Sequence, residues 1–505
     1  MQDNGKRQNR IRRIFWAVVF AQVLLVAGIA AVMLRRGQEV EHVQISAMEQ
    51  EIPEDLSSGT KWVSEAVYLP RGIYEVKLRF TTDNQNLKGV YVEAISDMSS
   101  PGNAVESSPQ TLYGSENEKT FRFQVKRDSR VRLEYVIPEE IRVSGDMIRN
   151  GDITFSIEDA DVSFHPLMSF RHELSVRIMI CILVTVFLYA VFHHPQWAKK
   201  WLKENALALG GYALTLFAAM YPLLVKEGIY YGFDMQFQIQ RIAYLAEGLS
   251  GGAFPVKIQP GWGGGYGDAV GVFYPDLLLY PSALLYLLGY SLQAAYKFYH
   301  FLVNTLTYVF GYAAFRRISG SRPIAVVGSS LHCLFIYRLS NAYTHAALGE
   351  LGGVVFLPLI LLGLWEIYRS ADGTAALQQT AEGEEGIRTE HAPGGAWITL
   401  AIGLTGLVLS HVLTAYILAP FIILYCLMDI RRTPKKQVLL SLIKAVGLAV
   451  CLCLFFLVPM ADYMLTQSLT GYESSPERLL STAAGKRQMF TWKYDVVSEE
   501  NRPND

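Results

Sequence analysis

The residues best suited to chemistry lie within positions 221–297, a polar and aromatic stretch that directly follows an apolar segment. Asp234 stands where an aromatic and glycine-rich run, residues 230–233, changes into a helical pattern. At helical spacing Asp234, Gln238 and Arg241 share one side of a helix. The same helix carries an apolar stripe made of Ile242, Leu245 and Leu249. The pattern predicts an amphipathic helix on the membrane surface that holds a reactive carboxylate at the lipid boundary.

A glycine-rich loop, residues 261–267 (GWGGGYG), follows this helix. Glycine lets a backbone approach a ligand closely. Trp262 and Tyr266 are aromatic faces on which a sugar could stack. The alternative is a flexible loop with two interfacial aromatic side chains, and the sequence leaves both interpretations open.

The composition predicts a polytopic membrane protein. Of 505 residues, 51% are hydrophobic, 12% aromatic and only 18% charged, which is too apolar for an ordinary soluble enzyme. The net charge of -1 gives no reason to expect a nucleic-acid partner. All five cysteines lie in apolar runs, which excludes a disulfide framework and a water-exposed zinc site.

The N-terminal region predicts a membrane anchor with a cytoplasmic N-terminus. Residues 1–13 carry five basic side chains, and residues 14–34 are apolar and long enough to cross a bilayer of about 30 Å. A cleaved signal peptide is the competing interpretation, but its apolar core is usually about half this length. We therefore expect an uncleaved anchor.

Residues 37–172 predict an antiparallel β-sandwich outside the cytoplasm. Alternating apolar and polar residues recur at positions 74–80, 121–126, 131–135 and 153–157. Several short strands in one region favour a sandwich, which we expect to be jelly-roll-like. Its sequence contains no aromatic or carboxylate cluster that marks a site, so a structural or docking module is expected.

The remaining apolar segments predict a multi-pass protein of the plasma (cytoplasmic) membrane with about nine spans. After the anchor, a second helix is expected at 174–193 and a helical core at 202–459, with an external loop at 226–293. Residues 369–396 are expected to form a disordered cytoplasmic loop, and residues 460–505 an extracytoplasmic tail. Within the core, spans are expected at 205–225, 294–315, 323–338 and 350–368, as a hairpin over 397–430, and at 438–458.

One apolar run is expected not to cross. Residues 277–289 are too few for a span and lie among prolines and a glycine, which is typical of an interfacial or re-entrant segment. Placing this run on the outer surface also puts the basic cluster at 316–322 on the cytoplasmic side, with the clusters at 10–13, 199–203 and 431–436.

This topology gathers four ionisable side chains, Asp234, His345, Glu350 and His411, at the outer tips. Ionisable groups at membrane depth are functional candidates by default. Each also has a structural explanation. Asp234 could cap a helix, Glu350 could offset the positive end of one, and His411 and His345 could be ordinary hydrogen-bonded or loop histidines.

Five segments carry a resemblance to known membrane-protein families. The runs GFDMQFQIQRI, FPVKIQPGWGGGYG and FYPDLLLYPSALLYLLGYS resemble the first external loop of GT-C membrane glycosyltransferases that use polyprenyl-phosphate sugars. The runs NAYTHAALGELGGVVFLPLILLGL and LVLSHVLTAYILAPF look like bacterial multi-span proteins labelled "6-pyruvoyl-tetrahydropterin synthase-related", a label that does not imply pterin chemistry. The resemblance covers about residues 202–459 and leaves out the sandwich.

The resemblance implies an outer-face transfer of sugar from a polyprenyl-phosphate donor to a cell-envelope glycan or protein acceptor. Asp234 matches the acid that such enzymes use as base. Cationic groups would meet the departing phosphate, and Arg241, Lys257 and Arg338 are the candidates. Glu350 and His411 would orient the acceptor or a metal, and the lipid tail would lie between spans. A divalent metal is compatible with this chemistry, but no residue spacing requires one.

Two other functions remain open at this stage. The chain could be a transporter of lipid-linked glycans or polymers, although no mid-span carboxylate or inverted repeat marks an alternating-access path. It could also be a catalytically inactive scaffold in the cell envelope.

Overall fold

The computed structural model describes residues 15–28, 42–45, 48–51, 60–83, 88–96, 104–107, 110–114, 117–137, 140–143, 146–149, 155–193, 195–225, 232–262, 266–370 and 395–466. Several predictions fall outside these residues. They concern the basic N-terminus at 1–13, the end of the first span, most of the loop at 369–396, the aromatic pair at 230–231, the glycines at 263–265 and the tail beyond 466.

The described structure is mostly helical. Its helices are α1 (Phe15–Gly28), α2 (Pro166–His193), α3 (Pro195–Val225), α4 (Met235–Ser250), α5 (Val270–Phe273), α6 (Tyr280–Leu287), α7 (Leu292–Ser319), α8 (Arg322–Cys333), α9 (Ile336–Ser340), α10 (Leu348–Val354), α11 (Leu357–Ser370), α12 (Ala396–Val408), α13 (Val412–Met428) and α14 (Lys436–Thr466). A π-helical segment, Asn341–His345, directly follows α9.

Three helical stretches in the described residues are long and apolar enough to cross a membrane: Lys199–Val225, Leu348–Ser370 and Lys436–Thr466. A fourth candidate is the pair Arg322–Cys333 and Ile336–His345, which is bent by 41° and forms either a broken span or a re-entrant loop. These four coincide with four of the predicted spans.

The predicted count of about nine spans is not supported. α1, α12 and α13 are apolar but have fewer than 18 residues in the described structure. α7 has 28 residues, but polar side chains such as His300, Asn304 and Thr307 interrupt its apolar sequence. α2 begins at Pro166, earlier than the predicted 174, and its apolar portion, Leu174–Tyr189, is also short.

The run predicted to lie on the surface forms only a short helix. α6 has eight residues, and at 1.5 Å per residue such a helix is about 12 Å long, far less than the thickness of a bilayer. Residues 277–289 therefore do not form a helical span.

Antiparallel sheets occupy the region predicted to be β-structure. The strands are β1 (His42–Ile45), β2 (Met48–Glu51), β3 (Thr60–Ser64), β4 (Val67–Leu69), β5 (Gly72–Thr82), β6 (Lys88–Ser96), β7 (Val105–Glu106), β8 (Gln110–Tyr113), β9 (Glu118–Val125), β10 (Ser129–Ile137), β11 (Glu140–Val143), β12 (Asp146–Arg149) and β13 (Phe155–Phe164). One sheet has the strand order β1-β13-β5-β9-β7, and the other β2-β3-β10-β6-β8, with β4 also paired to β10. β11 and β12 form a separate hairpin.

The two larger sheets share one hydrophobic core. Val76 and Phe123 from the first sheet and Val92 and Leu133 from the second belong to a single buried cluster. Alternation in the sequence placed these side chains on the inner faces, because successive residues of a strand point to opposite sides. The prediction of antiparallel strands is confirmed, and the jelly-roll interpretation stays a prediction.

A second hydrophobic core joins the helices around the segment 221–297, which carries Asp234. It contains Ile242 and Leu245 of α4, Ala283 of α6, Val303 of α7 and Leu351 of α10. Two residues of the predicted apolar stripe of α4 therefore face the protein interior, whereas the sequence pattern predicted a helix on the membrane surface.

Candidate functional site

The segment before α4 is fixed by backbone hydrogen bonds to the π-helical segment. The amide of Phe233 donates to the carbonyl of Thr344 at 3.1 Å, and the amide of Asp234 donates to that of His345 at 2.9 Å. A Cβ atom at Gly232 would lie 2.8 Å from Cβ of Ala346, so this approach requires glycine. The backbone position of Asp234 is thus set by a distant part of the chain.

The carboxylate of Asp234 is exposed. Asp234 occupies the N-cap position of α4 with φ -98° and ψ 6°, but its side chain makes no capping hydrogen bond. The capping explanation weighed from the sequence is therefore wrong for the side chain. An exposed carboxylate on an anchored backbone is available to a reacting group.

The backbone of Ala346, which packs against Gly232, is strained. Ala346 is buried and has φ 56°, in the left-handed region that residues with a Cβ rarely adopt. Such a conformation costs about 1–3 kcal/mol and often occurs at functional sites. The turn lets the chain pass from the π-helical segment into α10 while it stays against Gly232.

Arg241 has a different environment from the one predicted. The prediction placed it on the open side of a surface helix beside Asp234, whereas its side chain is 0% exposed. The Nη2 atom lies 2.5 Å from Oδ1 of Asp276, and Nη1 donates to Oε1 of Gln238 at 3.0 Å. α4 is thus buried on this side as well, because residues 274–276 cover it. Arg241 is committed to a buried ion pair, and this corrects its predicted role of meeting a phosphate.

Asp276 is the functional-site residue that the sequence analysis missed. Its side chain is 4% exposed, and its second oxygen, Oδ2, accepts from Nε2 of Gln259 at 3.4 Å. Burial raises the pKa of Asp276, and the charges of Arg241 and Lys257 oppose that increase. A signal was present: Asp276 is the one acid within the apolar run from 270 to 293, and Arg241 is the one basic residue within α4.

The ion pair extends to an aromatic cluster. Gln259, itself fully buried, accepts a 2.8 Å hydrogen bond from the indole N–H of Trp262. The Trp262 ring lies 5.3 Å from that of Phe237 and 5.1 Å from that of Tyr244. Tyr274, whose ring is 5.1 Å from the guanidinium of Arg241, completes the group and is 44% exposed. Trp262 is therefore held in a defined orientation by a chain of polar contacts.

Glu350 and His411 lie close to each other. A Cβ atom at Gly349, next to Glu350, would lie 3.0 Å from Cδ2 of His411. Burial lowers the pKa of His411, the charge of Glu350 opposes this, and that of Arg241 adds to it. Glu350 also accepts a hydrogen bond from the hydroxyl of Tyr337.

His411 acts as the N-cap of α13. Its Nδ1 accepts from the amide of Thr414 at 3.3 Å. The structural explanation given for this residue thus holds, without excluding a second role. The structure brings the segments that carry Asp234, His345, Glu350 and His411 to one region, since His345 is bonded to the Asp234 backbone and its ring lies 5.8 Å from that of Phe233.

Three predicted binding residues occupy different surroundings. Lys257 is half-buried, and burial lowers its pKa while the charge of Asp276 opposes the change. Tyr266 is 94% exposed. Arg338 is buried among the helices, where it donates to Asn304 at 2.7 Å and to Thr307 at 2.9 Å. Lys257 adjoins the Asp276 network, whereas Arg338 is held by α7.

Within the described residues, no group of three or more His, Cys, Asp or Glu side chains is arranged to hold a metal ion. Comparison of the chain with protein-family models finds no match, and comparison with curated proteins finds no significant relative. The site must therefore be interpreted from its own residues.

Proposed function

We propose that the chain is a GT-C-type membrane glycosyltransferase that transfers a sugar from a polyprenyl-phosphate donor to a hydroxyl of a cell-envelope acceptor. The observation that carries this proposal is the placement of Asp234. Its exposed carboxylate stands on a fixed backbone at the start of α4, in a loop that also holds the oriented indole of Trp262. An exposed base and an aromatic surface are both groups that sugar transfer needs.

In the proposed reaction Asp234 accepts the proton of the acceptor hydroxyl. The hydroxyl oxygen forms a bond to the anomeric carbon while the bond from that carbon to the phosphate oxygen breaks, and polyprenyl phosphate leaves. Lys257 is the cation that we assign to the departing phosphate. Arg241 is excluded from that role because Asp276 and Gln238 engage its terminal nitrogens.

The other proposed contacts orient the substrates. Trp262 offers a face on which a sugar ring could stack, and Tyr266 offers a second, fully exposed one. Glu350 and His411 lie at the same region and would position the acceptor.

We propose that this chemistry takes place on the outer face of the plasma membrane. The positive clusters at 199–203, 316–322 and 431–436 favour a cytoplasmic location for those loops. The loop that carries Asp234 and the sandwich would then lie outside, where a lipid-linked donor and an envelope acceptor meet.

The test is cleavage of a labelled polyprenyl-phosphate sugar by the purified chain in lipid vesicles. We expect Asp234→Asn to lower release of polyprenyl phosphate by at least 100-fold, because general-base catalysis contributes about 10²–10⁴-fold. Asp268→Asn is the matched control, since Asp268 is an exposed acid in the same loop, and it should keep wild-type activity.

Three results would overturn the proposal. The first is wild-type release by Asp234→Asn, which would remove the base from the mechanism. The second is movement of intact labelled donor across the vesicle membrane without cleavage, which would identify a transporter. The third is a wild-type chain that shows neither cleavage nor movement, which would indicate a scaffold.

A further inference from the structure

The sandwich contacts the connection between α6 and α7, residues 288–291, which we name the elbow. Glu106 of β7 accepts a hydrogen bond from the hydroxyl of Ser291 and lies 2.6 Å from the ammonium of Lys126. Ser291 also caps α7, because its Oγ accepts from the amide of Ala294 at 3.0 Å. A sandwich carboxylate thus lies at the N-terminal end of α7, where the helix dipole is positive.

A sandwich cation lies at the other side of the elbow. The guanidinium of Arg122, on β9, is 4.8 Å from the centroid of the Tyr286 ring. Tyr286 belongs to the last turn of α6, where the helix dipole is negative and attracts a cation. The sandwich therefore places charges of the favourable sign near the two helix ends that meet at the elbow.

The same strand acts on α4. Burial raises the pKa of Glu247, in the last turns of α4, and the charges of Arg122 and Lys119 oppose that increase. Arg122 of β9 thus contacts α6, and the charges of β9 also influence Glu247 of α4. These are helices of the candidate site rather than distant parts of the core.

The first turns of α2 complete the junction. Nε2 of Gln124, on β9, lies 3.2 Å from Nε2 of His172, and the His172 ring packs edge-on against Tyr290 with centroids 4.5 Å apart. Ser175 donates to the Tyr290 hydroxyl at 3.4 Å. Strand, helix and elbow are therefore linked by polar and ring contacts across sequence-distant positions.

Movement of the elbow would be transmitted to Asp276. The carbonyl of Asp276 accepts from the amides of Leu279 and Tyr280 at 2.9 Å and 3.1 Å, at the start of α6. The Tyr280 hydroxyl accepts from the amide of Val256 at 3.1 Å, beside Lys257. Because α6 is a single eight-residue helix, we expect a displacement of its C-terminal end to shift its N-terminal end as well.

We propose that the sandwich positions the candidate site through the elbow, and that Glu106 and Arg122 are the positioning residues. They hold α6 so that Asp276 stays paired with Arg241 and keeps Gln259 and Trp262 oriented. The inference rests on the proposed function only for the reaction that the site performs. The link between the sandwich and α6 is argued from their contacts and does not depend on which reaction the site performs.

Hydrogen exchange of the full-length protein in lipid nanodiscs tests the link. We expect Glu106→Gln combined with Arg122→Gln to speed exchange of the α6 amides, residues 280–287, at least tenfold. The matched control is Lys77→Gln, because Lys77 pairs at 2.9 Å with Glu118 on the same sheet and both side chains are largely exposed. Exchange in β10, Ser129–Ile137, should not change in either protein, which reports that the sandwich is folded.

Unchanged exchange in α6 with a folded sandwich would overturn the inference. If the double variant also loses protection in β10, the single Glu106→Gln variant decides: threefold faster exchange in α6 supports the link, and wild-type exchange rejects it. Arg122→Lys keeps the charge and should restore at least half of the protection lost in Arg122→Gln.

The cleavage assay separates this inference from the proposed function. We expect the double variant to lower kcat at least fivefold with little change in KM for the donor, and Lys77→Gln to change neither. An inactive wild-type chain would reject the proposed function and leave the exchange result to stand by itself. An active double variant with wild-type kcat would show that the elbow does not position the site.

Discussion

Replacement of Asp276 by asparagine should be more harmful than replacement of Arg241 by methionine at neutral pH. Asp276→Asn leaves a fully buried guanidinium whose remaining polar partners, Gln238 and the Pro275 carbonyl, are neutral. Arginine cannot lose its proton in a protein, so the charge persists. Loss of one partner from a buried pair costs about 3–5 kcal/mol. We expect a loss of that size in the free energy of unfolding.

Arg241→Met leaves the Asp276 carboxylate without its cation, but this carboxylate can bind a proton and become neutral. Burial already raises the pKa of Asp276, and the largest opposing influence is Arg241, so the substitution raises that pKa further. A carboxyl group whose folded pKa lies above its unfolded value contributes stability that is fully present below the unfolded pKa, here 3.8, and is lost as pH rises through the folded pKa. Arg241→Met should therefore become more stable relative to the wild-type chain as pH falls, whereas Asp276→Asn should not.

Reversible unfolding in mixed detergent micelles at several pH values measures both effects. The control is Asp429→Asn, which breaks a surface pair with Arg432 whose side chains are 32% and 43% exposed. Exposed pairs of this kind contribute about 0–1 kcal/mol, so this variant should be close to wild type. A loss of less than 1 kcal/mol in Asp276→Asn, or an Arg241→Met deficit that does not change with pH, would refute the electrostatic reasoning.

Two further predictions concern a closely packed glycine and the histidine that caps α13. A Cβ atom at Gly271 would lie 2.1 Å from the backbone oxygen of Val256, so Gly271→Ala should cost about 1–3 kcal/mol and lower Tm, whereas Gly447→Ala, with open space around it, should not lower Tm. Burial lowers the pKa of His411 below its ordinary 6.5, so the unfolded chain binds a proton more readily and the stability of the wild-type protein falls as pH drops below 6.5. His411→Asn keeps a capping oxygen but does not titrate, and a thermal melt series should show a shallower decline, while an unchanged slope would contradict this account.

Local pattern predicted the elements of the fold well. The helical spacing after Asp234 gave a helix that begins at Met235, and its apolar residues Ile242 and Leu245 are buried. Alternation gave antiparallel strands, and four apolar runs match the helices able to cross a membrane. These features depend on residues close together in sequence, so their periods can be recognised without the structure.

Apolar length was a weaker guide to spans. A helix such as α7 can be long and contribute to the buried core while it carries polar side chains that bond inside the protein, as Asn304 and Thr307 do with Arg338. A hydropathy value depends only on the type of each side chain and not on the partners that the side chain has in the fold. The number of spans therefore could not be read from the pattern of apolar segments alone.

Contacts between distant segments could not be predicted. Arg241 was assigned to a phosphate because a cation on an amphipathic helix normally faces water, but its partner lies 35 residues away in an apolar run. The fixed backbone of Asp234 likewise depends on Thr344 and His345, about a fifth of the chain away. Only the folded chain shows which charges are already paired.

Asp234 and Asp276, two of the acids in residues 221–297, differ in what each can do. A general base must come within about 2.6–3.2 Å of the hydroxyl whose proton it takes. Asp276 cannot meet that requirement without unfolding its surroundings, because Arg241 and Gln259 occupy its oxygens and its side chain is 4% exposed. Asp234 is exposed, and its backbone is bonded to His345, which precedes the left-handed Ala346. The division favours Asp234 for proton transfer and Asp276 for holding the loop, which is why substitution of Asp234 should reduce activity without loss of stability, and substitution of Asp276 should reduce both.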